Sequence, residues 1–372
     1  MKNRRILFML GILLTVLFGA GIGNIPLYAG DHKIITDMCD KKVEVPVEPK
    51  RIACMHCVSP EKIMTLGGGN SILLMAQQSP WAYRLYPEIK KAQSNKGVTP
   101  EQLRDMNVDF VLYTPGMTKE SPYSKAGLKT VCTFNADTRP GSLDEYRQNF
   151  KRQISFFGAL LGPDAKARAD QYNRYFDRKV QQILSITSKT EKKNRPRVYY
   201  GGLHGSPLGS QGNGSVMHWN TEVAGGNYLP AALDDNHATA TLQQVLLWDP
   251  DIILLSGYFD PSDDLKKNPD WASLKAVKSG KVYHLPRGIY TWDHASGEGV
   301  LLMIHLAKIF YPEQFQDWDM IQEMKAFYSE VYGKAVTDQD AERILNCLPP
   351  LSKEEASVKA GEAVPGTAPE QG

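Results

Sequence analysis

The chain has 372 residues, of which 42% are hydrophobic and 23% charged, and this composition is ordinary for a soluble globular protein with one or two substantial cores. Its 43 basic and 41 acidic side chains leave a net charge of +2, so the chain has no overall field that would attract nucleic acid or a membrane surface. These values argue against a polyanion-binding function and against a nucleic-acid partner.

The N-terminus has the pattern of a secretory signal. Three basic residues among the first five precede an apolar stretch over residues 6–18, and Ala29 is a small residue suited to cleavage. We expect residues 1–29 to be removed and the mature chain to be free in a periplasm. An uncleaved membrane anchor is the alternative, because weak apolarity continues to residue 25 and approaches the ~20 residues of a spanning helix. No cysteine lies near the cleavage site, so we expect no lipid-anchored N-terminus.

Five cysteines would face the oxidising compartment that such a signal implies. They are Cys39, Cys54, Cys57, Cys132 and Cys347. Because the number is odd, at least one is unpaired or bound to a ligand. The sequence does not determine which of them pair.

The first part of the chain predicts a hairpin followed by a strand and a helix. Residues 34–46 alternate in the manner of a β-hairpin with its turn at 40–41. Residues 51–55 predict a short buried strand, and residues 59–61 have the cap, proline and acid that start a helix. This order places residues 54–60 at the carboxyl end of a strand, where open α/β sheets bind ligands.

One pattern occurs twice, at residues 99–112 and again at residues 241–254. Each copy has a threonine that can cap a helix, a short amphipathic segment, and an aspartate that leads into an apolar, β-branched run. This order predicts a helix followed by a buried parallel strand. Two copies predict two similar α/β lobes, and two lobes behind an export signal suggest a cleft that captures something outside the cytoplasm.

Between the two copies, residues 142–161 and 164–188 have the pattern of two helices, separated by a Gly-Pro pair that ends one and starts the other. The second helix would span roughly 37 Å, enough to join two lobes as a stiff connector. We therefore divide the chain into a signal peptide (1–29), an N-terminal lobe (30–161), a linker helix (162–195), a C-terminal lobe (196–345) and a disordered tail (346–372).

Further segments accompany the two copies in a fixed order, at residues 36–37, 45–52, 60–67, 222–227, 269–283 and 306–315. Together they resemble the periplasmic substrate-binding proteins of ATP-driven (ABC) importers for iron-siderophores, haem and cobalamin. The resemblance implies an α/β fold of two Rossmann-like lobes with mainly parallel sheets, joined by one long α-helix, with the ligand in the cleft. It also implies an ABC permease and its ATPase as partners, and a monomeric, non-enzymatic protein without an intrinsic cofactor.

In that family each lobe usually offers a surface glutamate to an arginine pocket on the permease. The matching residue of lobe one is Glu101, whereas the matching position of lobe two holds Gln243. An amide does not make the charge-assisted pair that a carboxylate makes with arginine. Docking through lobe two is therefore in doubt or is carried by another residue. The plainer interpretation of Glu101 is an acid in the first turn of a helix.

The resemblance places residues 54–57, with the sequence Cys-Met-His-Cys, beside the cleft. Thiolate, thioether and imidazole ligands suit transition metals, and we expect His56 and His204 to face each other across the cleft mouth. Aromatic residues suit a bulky ligand. The predicted ligand-binding residues are Cys54, Met55, His56, Cys57, Trp81, Tyr83, Arg84, His204, His218, Trp219, Tyr290, Trp292 and His294. The predicted metal ligands among them are His56, His204 and His294.

Plainer interpretations remain for several of these residues. Cys54 and Cys57 have the CxxC spacing of a tight structural disulfide and, before a helix, that of a thiol oxidoreductase. His237 lies in a polar loop and is interpreted as solvated, and His284 and His305 as core or surface residues. We expect an importer's binding protein for a metal chelate, which is an iron-siderophore, haem or a corrinoid. Capture of bare nickel, cobalt or zinc and a periplasmic thiol oxidoreductase are the alternatives.

Overall fold

The structure is a computed structural model that describes residues 28–29, 31–114, 121–134, 139–257, 259, 265–352 and 355. The predicted signal peptide, apart from Tyr28 and Ala29, and the predicted tail beyond residue 352, apart from Glu355, lie outside the described residues. Within that described part, no helix combines the length and the apolarity that crossing a bilayer requires.

Lobe one begins with an antiparallel sheet of β1 (Tyr28–Ala29), β2 (His32–Thr36) and β3 (Lys42–Pro46). Its main sheet is parallel and, among the described residues, has five strands in the order β6-β5-β4-β7-β8. These are β4 (Ile52–Cys54), β5 (Ile72–Met75), β6 (Gln93–Ser94), β7 (Phe110–Tyr113) and β8 (Thr130–Cys132). The helices are α1 (Ser59–Thr65), α2 (Pro80–Leu85), α3 (Pro100–Asp105), α4 (Pro122–Lys125) and α5 (Leu143–Leu161).

One long helix, α6 (Pro163–Thr187), connects the lobes. Its buried face includes Tyr172, Phe176, Val180 and Ile183, which recur at helical spacing and so form one apolar stripe. Through this stripe α6 packs along α5 and also against helices of lobe two, so it forms a rigid connection between the lobes. We propose to keep the predicted limits of the lobes, 30–161 and 196–345, on either side of it.

Lobe two has a parallel sheet of four strands among the described residues, in the order β11-β9-β13-β14, and an antiparallel pair of β10 and β12. The strands are β9 (Arg197–Gly201), β10 (Gly209–Ser210), β11 (Asn227–Tyr228), β12 (Ala238–Thr239), β13 (Ile252–Leu255) and β14 (Val282–His284). The helices are α7 (Val216–Val223), α8 (Leu242–Trp248), α9 (Lys275–Lys278), α10 (Gly299–Phe310), α11 (Met320–Tyr332) and α12 (Asp338–Leu345).

The duplicated pattern forms the same structure in both lobes. α3 and α8 each begin with a capping box, in which Thr99 or Thr241 exchanges hydrogen bonds with the glutamine three residues later. The aspartate of each copy then accepts a backbone N–H from the start of the neighbouring first strand, Asp109 from Arg51 at 2.8 Å and Asp251 from Arg197 at 2.9 Å. The prediction of two Rossmann-like lobes with mainly parallel sheets, joined by one long helix, is confirmed.

The strand orders fix where ligands meet the sheets. In lobe one the chain leaves β4 for β5 on one side and later adds β7 on the other, and in lobe two it leaves β9 for β11 and later adds β13. A crevice opens at the carboxyl ends of parallel strands where the winding direction reverses. The segments that follow β4 and β9 therefore lie at the two crevices, as the sequence predicted for residues 54–60.

The disulfide joins Cys39 to Cys132 and ties the first hairpin to β8. Cys54 and Cys57 carry free thiols, so the structure does not contain the CxxC disulfide that their spacing favoured. The reason is geometric, because Cys54 is the last residue of a central strand and its side chain is directed into the core, with none of its surface exposed.

The chain after α12 returns to lobe one. The carbonyl of Leu348, a residue that the sequence assigns to the tail, accepts a hydrogen bond of 2.9 Å from Nε1 of Trp81 in α2. Arg84, one turn along α2, forms an ion pair of 3.0 Å with Asp340 of α12. The beginning of the predicted tail thus lies against the fold.

Candidate functional site

A cavity of about 320 Å³ lies between the lobes and is lined by residues of both. Its polar lining includes His56, Arg139 and Arg152 from the lobe-one side and Gln211, His237 and His294 from lobe two. Its apolar lining includes Phe134, Tyr146, Phe150 and Val216. A mixture of aromatic walls with a few convergent polar groups is typical of small-molecule sites.

His56 follows β4 and is held by Thr133, the residue that follows β8 at the edge of the same sheet. Its Nδ1 lies 3.1 Å from Oγ1 of Thr133, whose hydroxyl lies 3.2 Å from the carbonyl of Tyr113. We assign the hydroxyl proton to that carbonyl, so the Thr133 oxygen accepts from Nδ1 of His56 and the lone pair of the imidazole lies on Nε2. Burial, together with the charge of Lys62, lowers the pKa of His56 to about 4. At neutral pH the ring is therefore uncharged, as a metal ligand must be.

His294 is oriented by a buried carboxylate. Its Nδ1 lies 3.0 Å from Oδ1 of Asp293 and 2.9 Å from Oγ1 of Thr291. Burial opposes the charge of Asp293, but His294 and the hydroxyls of Ser256 and Thr291 outweigh it and hold the pKa of this carboxyl below its usual range. A carboxylate behind an imidazole fixes the orientation of the ring and increases its basicity toward a ligand.

His204 and His237 form a pair at the edge of the cavity. Nε2 of His204 lies 3.3 Å from Nδ1 of His237, and both residues are exposed. His237 lines the cavity, whereas His204 is not among the residues that line it and contacts His237. Burial, and then the neighbouring His204 and His294, lower the pKa of His237. The sequence interpretation of His237 as merely solvated missed this contact.

Two arginines bring positive charge to the cavity. Arg152 of α5 forms a close ion pair with Asp40, which also lines the cavity. Arg139 approaches Asp235 of lobe two, with 3.8 Å between its guanidinium and the carboxylate, and 43% of the arginine side chain is exposed. No local sequence pattern points to either arginine, because one lies on an ordinary amphipathic helix and the other in a loop.

Three predicted ligand-binding residues are buried in the core, outside the described lining. Cys54 has no exposed surface, and burial raises the pKa of its thiol. Trp81 is 2% exposed and hydrogen-bonds toward the C-terminal segment. Trp292 is fully buried and meets His305 edge to face, with ring centroids 6.4 Å apart. A tryptophan near a strand can pack in the core or line a ligand site. The local sequence does not show which of the two occurs.

The other predicted residues have varied surroundings. His218 stacks on Trp219 at 4.4 Å and accepts the N–H of Gly214 at Nδ1, so its ring holds a loop in place. Tyr290 meets His294 edge to face at 6.1 Å, and Cys57 is exposed and lines the cavity.

Met55 packs in a small cluster of lobe one, and Tyr83 and Arg84 lie on α2. Across the described ranges, no three His, Cys, Asp or Glu side chains are grouped as a metal ion would require.

The predicted docking residues occupy equivalent exposed positions. Glu101 lies in the first turn of α3, and Gln243 lies in the first turn of α8. Hydrogen bonds from the backbone N–H of Glu101 and from Thr99 lower the pKa of the Glu101 carboxyl. Glu101 therefore presents a negative charge at neutral pH, and Gln243 presents a neutral amide.

The sequence profile of a family described as periplasmic binding protein matches residues 73–288, more than half of the chain. The chain belongs to this family. It is therefore a periplasmic binding protein of an ABC transporter, and the predicted family resemblance is confirmed. Its relatives are transport proteins rather than enzymes.

Three proteins are similar to this chain in sequence or in fold. The molybdate-binding protein MolA of Haemophilus influenzae is 22% identical over 357 residues, which cover 89% of this chain and 99% of MolA. The structure of MolA bound to molybdate matches with a TM-score of 0.72 at 22% identity, over 82% of this chain and 99% of that chain.

Helicobacter pylori CeuE with Ni(II) bound matches with a TM-score of 0.62 at 15% identity, over 84% and 99% of the two chains. A protein of an Fe³⁺-hydroxamate transport system from Saccharomonospora viridis matches with a TM-score of 0.60 at 21% identity, over 75% and 98%. These structural likenesses show a shared fold.

Proposed function

We propose that this periplasmic binding protein captures an anionic metal complex in the cleft and delivers it to the permease of an ABC importer. The observation that carries the proposal is the joint lining of one cavity by imidazoles of both lobes and by two arginines. His56 belongs to lobe one, and His237 and His294 belong to lobe two. A complex that contacts all three would therefore hold the lobes in one arrangement.

The arginines favour an anionic ligand. The ion pair of Arg139 with Asp235 is long, at 3.8 Å, and both side chains are substantially exposed, so it contributes little to stability. A carboxylate or catecholate oxygen of a chelator would form a shorter, charge-assisted bond with the same guanidinium. The charged groups of the cavity thus complement a chelate that carries negative charge.

The imidazoles favour a transition metal within that ligand. The pKa of His56 is lowered to about 4, so this ring offers a neutral nitrogen at neutral pH. His294 has the carboxylate of Asp293 behind it, an arrangement that recurs among metal-binding histidines. Neutral imidazole is a general ligand for iron, nickel, copper and zinc.

Cavity size bears on which chelate the protein carries. At about 320 Å³, the cavity is at the small end of the ~300–1,000 Å³ that is usual for small-molecule sites. Among iron-siderophores, haem and corrinoids, the fit is best for a compact iron-siderophore, since most of a corrinoid would extend into solvent. We therefore rank the siderophore first, and bare nickel, cobalt or zinc remains an alternative.

A tetrahedral oxyanion is the second candidate, because MolA, which is similar over 89% of this chain, binds molybdate. Arg139 and the amides of Asn149 and Asn236 line the cavity and could donate to oxyanion oxygens. We do not propose a thiol oxidoreductase. The thiol of Cys54 is buried with a raised pKa, whereas catalytic thiols of that class have lowered pKa values.

Export and docking complete the proposal. We propose that residues 1–29 are a cleaved signal peptide, that the mature protein is monomeric, and that Glu101 docks lobe one on the permease while Gln243 lies at the equivalent place on lobe two. N-terminal sequencing of the periplasmic protein tests the cleavage. A Glu101→Gln variant with normal ligand affinity and reduced uptake in cells would support docking, and unchanged uptake would contradict it.

Tryptophan fluorescence titration of the purified protein tests the ligand class. The panel contains ferric siderophores, haem, cobalamin, molybdate and free Ni²⁺. We expect one equivalent of an anionic metal complex to bind, and the Arg139→Met variant to bind it at least about 10-fold more weakly through loss of a charge-assisted bond. Arg178→Met is the matched control, because Arg178 pairs with Glu330 on the surface and is not among the residues that line the cavity. Binding of molybdate alone, or of no panel member, would overturn the proposal.

A further inference from the structure

We infer that His204 and His237 together form a two-imidazole site that binds the metal of the cargo through two adjacent coordination positions. The inference rests on the proposed function, because it specifies which class of metal complex the cleft accepts. It assigns a role to His237, which its polar loop did not suggest, and it pairs His204 with His237 instead of with His56.

The separation of the two rings fits a shared metal ion. Nε2 of His204 and Nδ1 of His237 are 3.3 Å apart. Imidazole nitrogens lie ~2.0–2.1 Å from zinc, so two of them would be about 3.3 Å apart on a tetrahedral ion and about 3.0 Å apart at adjacent octahedral positions. Before a metal arrives, the same separation allows one neutral ring to donate a hydrogen bond to the other. The pair is thus already close to the geometry that binding requires.

The backbone at His204 holds its ring in an unusual place. His204 has φ 55°, in the left-handed region, and lies between Gly202 with φ 89° and Gly205 with φ 75°. Residues with a side chain seldom adopt this conformation, and when they do, the strain is commonly found at functional sites. The tight turn after β9 brings the imidazole of His204 to the loop that carries His237.

The second ring is anchored through its own loop. The side chain of Asp235 accepts the backbone N–H of His237 at 3.2 Å, and the carbonyl of Asp235 accepts the N–H of Gly212 at 2.9 Å. These bonds attach the His237 loop to the loop that follows β10. Both ligands are therefore positioned by the scaffold of lobe two, and their separation does not depend on the position of lobe one.

The pair is accessible at the rim of the cavity. Both imidazoles are exposed, and His237 also contributes to the cavity lining. A complex that enters the cleft would meet this pair while its chelator contacts the arginines and aromatic walls farther in. The pair would thus bind a metal centre that is already partly wrapped by another ligand.

Two adjacent nitrogens select among chelates by their open positions. A macrocycle such as haem or a corrinoid fills the equatorial plane and leaves open positions only on opposite faces. A hexadentate siderophore leaves none. The pair therefore fits a metal held by a tetradentate or smaller anionic chelator, which leaves two neighbouring positions open.

Isothermal titration with nickel complexes of known denticity tests this inference. Nickel nitrilotriacetate, which is tetradentate, leaves two adjacent positions open, and nickel EDTA, which is hexadentate, leaves none. We expect one equivalent of the nitrilotriacetate complex to bind and the EDTA complex not to bind. The His204→Ala and His237→Ala variants should each bind the former at least about 10-fold more weakly, a loss comparable with known effects of altered metal surroundings.

His32→Ala is the matched control, because His32 is an exposed imidazole on β2, outside the described lining. It should bind like the unaltered protein, and circular dichroism checks that each variant is folded. As a second readout, electron paramagnetic resonance of bound Cu²⁺ should detect two imidazole nitrogens in the unaltered protein and one in each single variant.

Three results would overturn the inference: no binding of nickel nitrilotriacetate, equal binding of both nickel complexes, or unchanged binding in the two histidine variants. If the variants bind tetradentate ferric siderophores as tightly as the unaltered protein does, the inference fails and the proposed function stands. If the unaltered protein binds nickel nitrilotriacetate but no physiological complex of the panel, the proposed ligand class fails instead.

Discussion

The two lobes contact each other in two different ways, through a buried polar junction and across an open cleft. At the lobe junction, which we define as Glu61, Lys62, Tyr172, Glu298 and Tyr332, Nζ of Lys62 lies 2.5 Å from Glu61 and donates to the carbonyl of Ala295 at 2.6 Å. At the cleft, the contact of Arg139 with Asp235 is 3.8 Å long and exposed. The first contact is short and buried, and the second is long and exposed to solvent.

One loop of lobe two reaches both the junction and the cavity of the cleft. Glu61 accepts the backbone N–H of Gly297 at 3.2 Å and the hydroxyl of Tyr332 at 3.1 Å, and the hydroxyl of Tyr172 donates to the carbonyl of Gly297 at 2.7 Å. Only three residues earlier, His294 lines the cavity. The comparison shows that the junction fixes the loop that presents a ligand-binding imidazole, while the cleft side keeps groups available for a ligand.

Removing the buried cation should produce the largest effect. Lys62→Met leaves the carboxylate of Glu61 buried without its partner, because the two side chains are 1% and 0% exposed. Breaking a buried ion pair in this way costs about 3–5 kcal/mol. Urea unfolding should therefore show a free energy of unfolding lower by about that amount. A loss below about 1 kcal/mol would contradict the view that the junction holds the lobes together.

Glu298 should make the junction sensitive to pH. Burial chiefly, and also the charge of Glu61, raise its pKa from 4.5 to about 7. Because the folded-state pKa is the higher one, the stabilising contribution is complete below pH 4.5 and is lost as pH rises to about 7, on the order of 3 kcal/mol in total.

The Glu298→Gln variant, which does not titrate, isolates this effect from that of other groups. The free energy of unfolding of the unaltered protein minus that of the variant should decrease between pH 5 and pH 7.5. A difference that is constant over this range would show that Glu298 has an ordinary pKa in the folded protein.

The hydroxyl of Tyr332 should contribute less than the ion pair. Tyr332→Phe removes one donor to the buried carboxylate of Glu61, and such a loss costs about 1–3 kcal/mol. Tyr83→Phe is the matched control, since Tyr83 is half-buried and its hydroxyl accepts only a 3.3 Å bond from Gln78. We expect a decrease below about 1 kcal/mol there. Equal losses in the two variants would remove the distinction between junction and surface.

The cleft side should show the smallest effect on stability. Arg139→Met removes only the long, exposed pair with Asp235, so the free energy of unfolding should change by less than about 0.5 kcal/mol. The same variant should lose ligand affinity, as proposed above. A large loss of stability without a change in ligand affinity would reverse the roles that the comparison assigns to the two contacts.

Local patterns in the sequence were sufficient to predict most of the fold. The threonine caps of α3 and α8 and the aspartates that precede β7 and β13 are encoded within a few residues, and the structure contains them in both lobes. The long helix also follows from local signals, because Gly162 and a proline at its start precede a regular apolar stripe. Interactions within one helix or strand, or between residues close in sequence, can therefore be predicted from the sequence.

Contacts between distant segments were not predictable. The disulfide joins Cys39 to Cys132 across 93 residues, while the CxxC spacing favoured a pair that the structure does not form. His237 meets His204 only because the loops after β9 and before β12 converge. Such meetings depend on the topology of the whole lobe, and a polar loop has no periodicity that would reveal them.

Anomalous X-ray diffraction from crystals of the protein purified with its natural cargo tests the central claim most directly. The account predicts a metal peak in the cavity between the lobes, with ligand atoms near Arg139 and the metal close to the imidazoles of His237 and His204. A metal peak outside the cleft, or a metal-free ligand in the cavity, would contradict the account.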